Sequence, residues 1–303
     1  MAVDGAAGAA PNGVLPVDKA VGPTSHDAVA AVRRALKTRE VGHTGTLDPF
    51  ASGLLLVCVG RATRLAEYLT GLPKTYVATM RLGEATDTDD LTGEVIASSG
   101  AWRSLSADEV EAALRAQVGT IQQLPPSYSA KKVGGERMYA AARRGEAVER
   151  KPVAVTVYAI RVLRIDLPEV ELEVECGSGT YIRAIARDAG AALGVGGHLR
   201  ALRRTRVGPH AVDRAVPLDA LGDVERVAAA MLSPLEAVAH LPRVPVDEAA
   251  IAALRHGRAL AAGDETPEDT PLALASAGGE LLAIGERIDT IIRPRKVFVQ
   301  PTT

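Results

Sequence analysis

The chain has 303 residues, enough to bury a substantial core in one large domain or a large domain with a small companion. Hydrophobic residues at 47% and charged residues at 24% exclude a disordered chain. A formal charge of −2, from 35 basic and 37 acidic side chains, advertises no polyanionic partner, and aromatics are only 3%. Composition alone reads as a neutral small-molecule enzyme.

The two cysteines, Cys58 and Cys176, lie far apart, which excludes a disulfide scaffold and a Cys-based zinc site and fits a reducing cytoplasm. Residues 1–13 are Ala/Gly-rich without a basic or long apolar region, so a disordered tail is expected and a signal peptide is not. No run approaches the ~18 apolar residues of a membrane span. The expected location is cytoplasmic.

Val14–Asp18 predicts a short strand, and Ser25 the N-cap of a helix through Lys37 with Ala28, Val29, Val32 and Leu36 on one face. A loop with three glycines, Gly42–Gly53, leads into a buried apolar run, Leu54–Val59. Lys74–Leu82 alternates like a half-buried strand. Ala107–Gln117 reads as a helix, and a polar stretch, Pro125–Arg150, interrupts the pattern. Val153–Val162 and Glu169–Cys176 alternate as a strand pair, Thr180–Leu193 is helical, and Arg200–Val207 is basic. Without a regular βαβ repeat, the order points to an α+β fold. Leu241–Pro245 reads as a linker to a module with its own helix, Asp247–His256, and closing strands at Leu281–Ile284 and Lys296–Gln300.

Charge is uneven. Arg33, Arg34, Lys37 and Arg39 form one basic cluster, Arg200, Arg203, Arg204 and Arg206 a second, and Lys131–Lys151 a third. Acids concentrate in Glu84–Glu94, Asp166–Glu175 and the C-terminal module. Each basic cluster is a solvated face or part of a polyanion groove.

The Gly42–Gly53 loop lacks the Lys-Ser/Thr of a phosphate-binding P-loop. In it, Asp48 before Pro49 suits a turn or a catalytic carboxylate, and His43 a structural bond or a chemical role. Asp87-x-Asp89-Asp90 has the wrong register for a calcium loop, and the six histidines show no metal-ligand spacing. Arg183 and Arg187 lie one turn apart on a helix face.

These residues together carry a resemblance. The block Gly42-His43-Thr44-Gly45-Thr46-Leu47-Asp48-Pro49-Phe50-Ala51-Ser52-Gly53 closely resembles the catalytic loop of the TruB-type tRNA pseudouridine synthases. Further blocks follow in the family's order: Lys74–Ala78, Arg81–Asp90, Pro126–Lys131, Ser178–Arg183 and Gly197–Arg204, so that the resemblance covers roughly Val14–Pro209.

The resemblance implies a pseudouridine synthase fold, α+β, with a mixed, largely antiparallel sheet over 14–240 and a small PUA-like β domain over 241–303. It implies isomerisation of the T-loop uridine of tRNA, position 55, by base flipping, without metal or nucleotide cofactor. Asp48 is then the catalytic aspartate, acting on the ribose, on the base or as a proton acceptor. Arg183 positions Asp48 and keeps it ionised against burial. Tyr76 lies against the base, its hydroxyl available for the C5 proton, while Tyr181 and Leu202 line the pocket. His43 enters the space the base vacates, and Lys131 and Arg203 contact substrate. The implied partner is the tRNA T-arm, bound by a monomer that needs no protein partner and no membrane. Rival readings are a guide-RNA-directed relative, a non-catalytic RNA-binding or tRNA-folding chaperone, and a chelator-sensitive hydrolase using Asp87, Asp89 and Asp90.

Overall fold

Strict alternation along Lys74–Leu82 buries every second side chain, and this strand lies inside the main sheet of the computed structural model. The structure describes residues 11–127 and 150–299, together with the backbone of 132–133 and 136–137. In chain order the strands begin with β1 (Gly13–Lys19), β2 (Val41–His43), β3 (Ser52–Val59) and β4 (Lys74–Leu82). Two short strands, β5 (Glu84–Thr86) and β6 (Val95–Ser98), pair with each other, β7 is Gly119–Gln123, and β8 (Lys132–Val133) pairs with β9 (Glu136–Arg137). Next come β10 (Val153–Asp166), β11 (Glu169–Cys176), β12 (Gly197–Val207), β13 (His210–Ala211) and β14 (Val216–Pro217).

The main sheet runs β14-β1-β3-β12-β4-β11-β10-β7, with β2 added to β3 and β13 to β12. Its pairs are antiparallel except β1 with β14 and β12 with β3, so the fold is α+β with a mixed, largely antiparallel sheet. The parallel join of β3 to β12 sits beside the Asp48 loop and depends on Gly53. At φ +102°, a Cβ there would stand 2.2 Å from the Arg204 carbonyl oxygen.

Helix Ser25–Ala35 is capped by Thr24 and not by Ser25. Thr24 and Asp27 form a reciprocal capping box, whereas the Ser25 hydroxyl is buried and turned toward Leu47. Helix Ala107–Arg115 starts on a second capping box, Ser106 with Glu109. The helix carrying Arg183 runs Ile182–Ala192, two residues later at its start than the pattern suggests, because Tyr181 keeps extended backbone.

The charge clusters are less separate than the sequence implies. Arg200 pairs with Glu169, Arg161 with Glu173 and Arg164 with Asp166, while Arg204 is buried. Strand alternation and irregular register along β12 send its four arginines to different surroundings, so they make no single face.

The C-terminal module is a five-stranded sheet, β15 (Arg243–Pro245), β16 (Leu260–Ala261), β17 (Pro271–Ala275), β18 (Leu281–Ile288) and β19 (Ile291–Val297), in the order β15-β17-β18-β19-β16. The segment expected to be a linker is a strand paired in parallel with β17. One apolar cluster joins Val14, Leu54, Leu56 and Cys58 of the large domain to Ala273, Leu281, Ile284 and Phe298 of the module. Of the expected tail, residues 1–10 lie outside the described residues, and Gly13 already pairs with Val59. Among the described residues, no helix is long and apolar enough to cross a membrane.

Candidate active site

Four segments converge on a cavity of about 230 Å³: the loop after β2, the start of β4, the turn between β11 and helix Ile182–Ala192, and the middle of β12. Asp48, Tyr76, Tyr181, Arg183 and Leu202 all line it. Five site residues expected from the sequence thus meet in space, although 154 positions separate Asp48 from Leu202 in the sequence.

Asp48 accepts an ion pair from Arg183 Nε at 3.1 Å. The Arg183 side chain is 4% exposed and that of Asp48 37%, so the guanidinium forms the floor and the carboxylate meets the cavity. Arg183 Nη1 donates to the Thr88 carbonyl at 2.9 Å and to Asp90 Oδ2 at 3.1 Å. Asp90 in turn accepts from the Thr88 hydroxyl and from the Thr92 backbone N–H, both at 2.9 Å. The carboxylates of 87–94 therefore serve as supports: Asp90 for Arg183, and Asp89 for Arg187 at 2.9 Å. Among the described residues, no cluster of three or more His, Cys, Asp and Glu is arranged to hold a metal ion.

Burial raises the Asp48 carboxyl above the ordinary carboxylate range, Arg183 opposes, Asp90 adds to the rise, and Lys19 pulls it down. Lys19 is fully buried, its ammonium donates to the carbonyls of Ala20 and Pro23 at 2.9 Å, and burial lowers it to about 8. Asp48 also depends on Ser25, which the sequence pattern marks only as a helix cap. The Ser25 hydroxyl donates to the Leu47 carbonyl at 3.1 Å and accepts from the Leu47 N–H at 2.8 Å. This two-way bond fixes the backbone one residue before Asp48.

Tyr76 is 8% exposed, and burial pushes its phenol upward, with Arg204 opposing through its charge and a hydrogen bond. Arg204 is itself pinned to the Leu54 carbonyl at 2.7 Å and the Gly45 carbonyl at 3.1 Å. It lines the same cavity and ties the Asp48 loop to Tyr76. Its position in a basic run gave it no distinction from Arg203.

Tyr181 is clamped through its backbone. Its N–H donates to Gln123 Oε1 at 2.8 Å, and its carbonyl accepts from Gln123 Nε2 at 3.1 Å. Gln123 has no exposed surface and nothing in its sequence context distinguished it.

The remaining expected residues stand apart. His43 lies on β2, its ring edge-on to His26 with centroids 5.6 Å apart, and accepts from the Gly45 N–H at 3.3 Å. Burial lowers its affinity for a proton, and His26 and Arg204 add to that. Arg203 does not line the cavity. It makes a two-pronged pair with Asp18, at 3.1 and 2.7 Å, and borders a second hollow of about 460 Å³ with Pro49, Phe50 and Leu202. Lys131 lies outside the described residues.

Comparison with known proteins identifies the family of the chain. Residues 33–182 match the TruB family pseudouridylate synthase N-terminal domain, and residues 183–239 the tRNA pseudouridylate synthase B C-terminal domain. The tRNA pseudouridine synthase B of Paenarthrobacter aurescens (strain TC1) is 43% identical over 303 residues, covering 96% of each chain. That of Mycobacteroides abscessus is 48% identical over 256 residues, covering 82% of this chain and 84% of its own. Among solved structures, an archaeal box H/ACA sRNP Nop10-Cbf5 complex aligns with a TM-score of 0.74 at 29% identity, covering 96% of this chain and 88% of that one. An H/ACA RNP bound to a substrate RNA containing 2′-deoxyuridine gives 0.75 at 29%, with 95% and 86% covered. On both sequence and fold, the chain belongs to the TruB family of pseudouridylate synthases.

Proposed function

We propose that the protein isomerises the T-loop uridine at position 55 of tRNA to pseudouridine, by flipping the base into the cavity beside Asp48. The observation that carries the reading is the Asp48 carboxylate facing the cavity while the buried Arg183 guanidinium holds it at 3.1 Å. The reaction is an isomerisation: the N1–C1′ bond breaks, a C5–C1′ bond forms, C5 loses a proton and N1 gains one. Asp48 supplies the reacting carboxylate, and Arg183 orients it and favours its ionised form. Unstacking a base costs a few kcal/mol and stacking on an aromatic ring returns about 1–3 kcal/mol, which assigns Tyr76 to the base face. Its deprotonated oxygen would receive the C5 proton, a form that burial opposes and the Arg204 contact favours. Tyr181 and Leu202 close the walls, and His43 fills the gap left in the RNA stack.

The substrate is the T-arm of tRNA, which the tRNA pseudouridine synthase B relatives support, with Lys131 and Arg203 among its contacts. We place the catalytic domain at 14–240 and a PUA-like module at 241–303 after a tail at 1–13, in a cytoplasmic monomer that requires no protein partner. The test is incubation with an unmodified tRNA transcript followed by carbodiimide mapping of pseudouridine. Signal at the T-loop uridine, lost with Asp48→Asn, is the expected result. RNA binding without signal from the wild type would instead favour a tRNA-folding chaperone.

A further inference from the structure

Two cations are buried at the cavity with no acid to balance them among the described residues. Lys74 is 6% exposed and Arg204 2%, and both line the cavity. Among the described residues the Lys74 bonds go to backbone carbonyls, Arg204 bonds backbone carbonyls and the Tyr76 phenol, and neither makes an ion pair with a carboxylate. Buried charges are ordinarily paired, because desolvating a lone ion costs more than neutral hydrogen bonds return. Across the cavity, Asp48 is already engaged by Arg183. Among the described residues this leaves positive charge in excess, which an anion from outside the protein would balance.

Lys74 has the geometry to receive one. Its ammonium donates to the carbonyls of Thr70 at 2.7 Å and Leu72 at 2.6 Å. An ammonium carries three N–H donors, so one remains. Lys74 and Tyr76 share a face of β4, spaced by about 7 Å, the reach from a stacked base to its own backbone. The Ser178 hydroxyl donates to the same Thr70 carbonyl at 2.9 Å and so stands beside the ammonium.

We propose that Lys74 is the cationic anchor of a phosphodiester subsite, its third N–H bonding a non-bridging oxygen of a phosphate that flanks the flipped uridine, with Ser178 alongside. The inference rests on the uridine-flipping function above. The Lys74 charge then gains an anionic partner when the nucleotide is seated. Burial and the Arg204 charge on β12 hold Lys74 down at about 8, with Cys176 on β11 opposing, and the other groups at the ammonium are neutral. A phosphate contact needs the charged ammonium, so it is present below about pH 8 and fades above it.

The experiment uses the full chain and T-arm stem-loops in which the linkage 5′ or 3′ of the target uridine is replaced, one at a time, by a neutral methylphosphonate. One replacement is expected to weaken wild-type binding about tenfold, the scale of one charge-assisted hydrogen bond. Lys74→Met should weaken the unmodified stem-loop equally and add nothing to that replacement. Independent losses at both linkages, or no loss, overturn the proposal. Should Lys74→Met fold poorly, the wild type alone decides: the affinity gap between phosphodiester and methylphosphonate shrinks from pH 7 to pH 9, and a constant gap overturns it. A wild type that binds the stem-loop but forms no pseudouridine defeats the proposed function instead.

Discussion

Asp48 stands where burial and a guanidinium pull in opposite directions. Burial wins, so its carboxyl takes up a proton at higher pH than a free aspartate. If catalysis needs the carboxylate, the acid limb of kcat follows this raised value, and removing Arg183 raises it further. Arg183→Met should move the acid limb upward and cut kcat at pH 7 at least about tenfold. A pH–rate profile on a T-arm stem-loop with an unmoved acid limb would sink the role assigned to Arg183. The same shift has a stability consequence. The folded state holds the Asp48 proton more tightly than the unfolded chain, so this group favours folding below its unfolded value. That contribution is lost as pH rises through the folded value. Ionised Asp48 is therefore a cost at neutral pH, and Asp48→Asn should raise Tm by about 1–3 °C, a modest figure because over a third of the side chain is exposed. Calorimetry at pH 7 checks this; a lowered Tm would mean that the Arg183 pair outweighs burial.

At the scale of elements, the sequence marked residues that chemistry selects and missed those that hold them. Asp48, Tyr76, Tyr181, Arg183 and Leu202 sit in recognisable blocks and meet in one cavity. Ser25, Gln123 and Arg204 work through backbone groups 22, 58 and 150 residues away, a relation no local pattern records. Ser25 shows the ambiguity well. Serine caps helices better than threonine, so local pattern favours Ser25, and only the approach of Leu47 takes it out of that role and leaves the cap to Thr24. Strand and helix positions were legible because burial alternates cleanly along Lys74–Leu82 and Glu169–Cys176. The linker reading failed because Pro-rich composition also suits an edge strand such as β15. Ser25→Ala leaves both Leu47 backbone groups without this partner in a buried place, at about 1–3 kcal/mol. It should lower both Tm and kcat, whereas a variant with wild-type kcat and lowered Tm would confine Ser25 to stability.

For the whole molecule, a net charge of −2 conceals both pairing and burial. Glu169, Glu173 and Asp166 neutralise arginines on their own sheet, while the site keeps Lys74 and Arg204 away from any carboxylate partner among the described residues. The apolar core likewise crosses the expected domain boundary. Phe298 sits in the cluster that contains Val14 and Leu56, Arg64 stacks over its ring at 5.2 Å, and Lys296 donates to the Arg64 carbonyl at 3.0 Å. A module tethered by a linker would melt separately, whereas a shared core couples the two parts into one cooperative unit. Calorimetry of the full chain should therefore show a single transition. Phe298→Ala, which removes a large buried side chain at roughly 3–5 kcal/mol, should shift that whole transition downward. It should also lower pseudouridine formation at temperatures where the shifted protein begins to unfold, although Phe298 is absent from the residues lining the catalytic cavity. Two transitions, with only the smaller one moved, would mean that the modules fold independently despite their shared core.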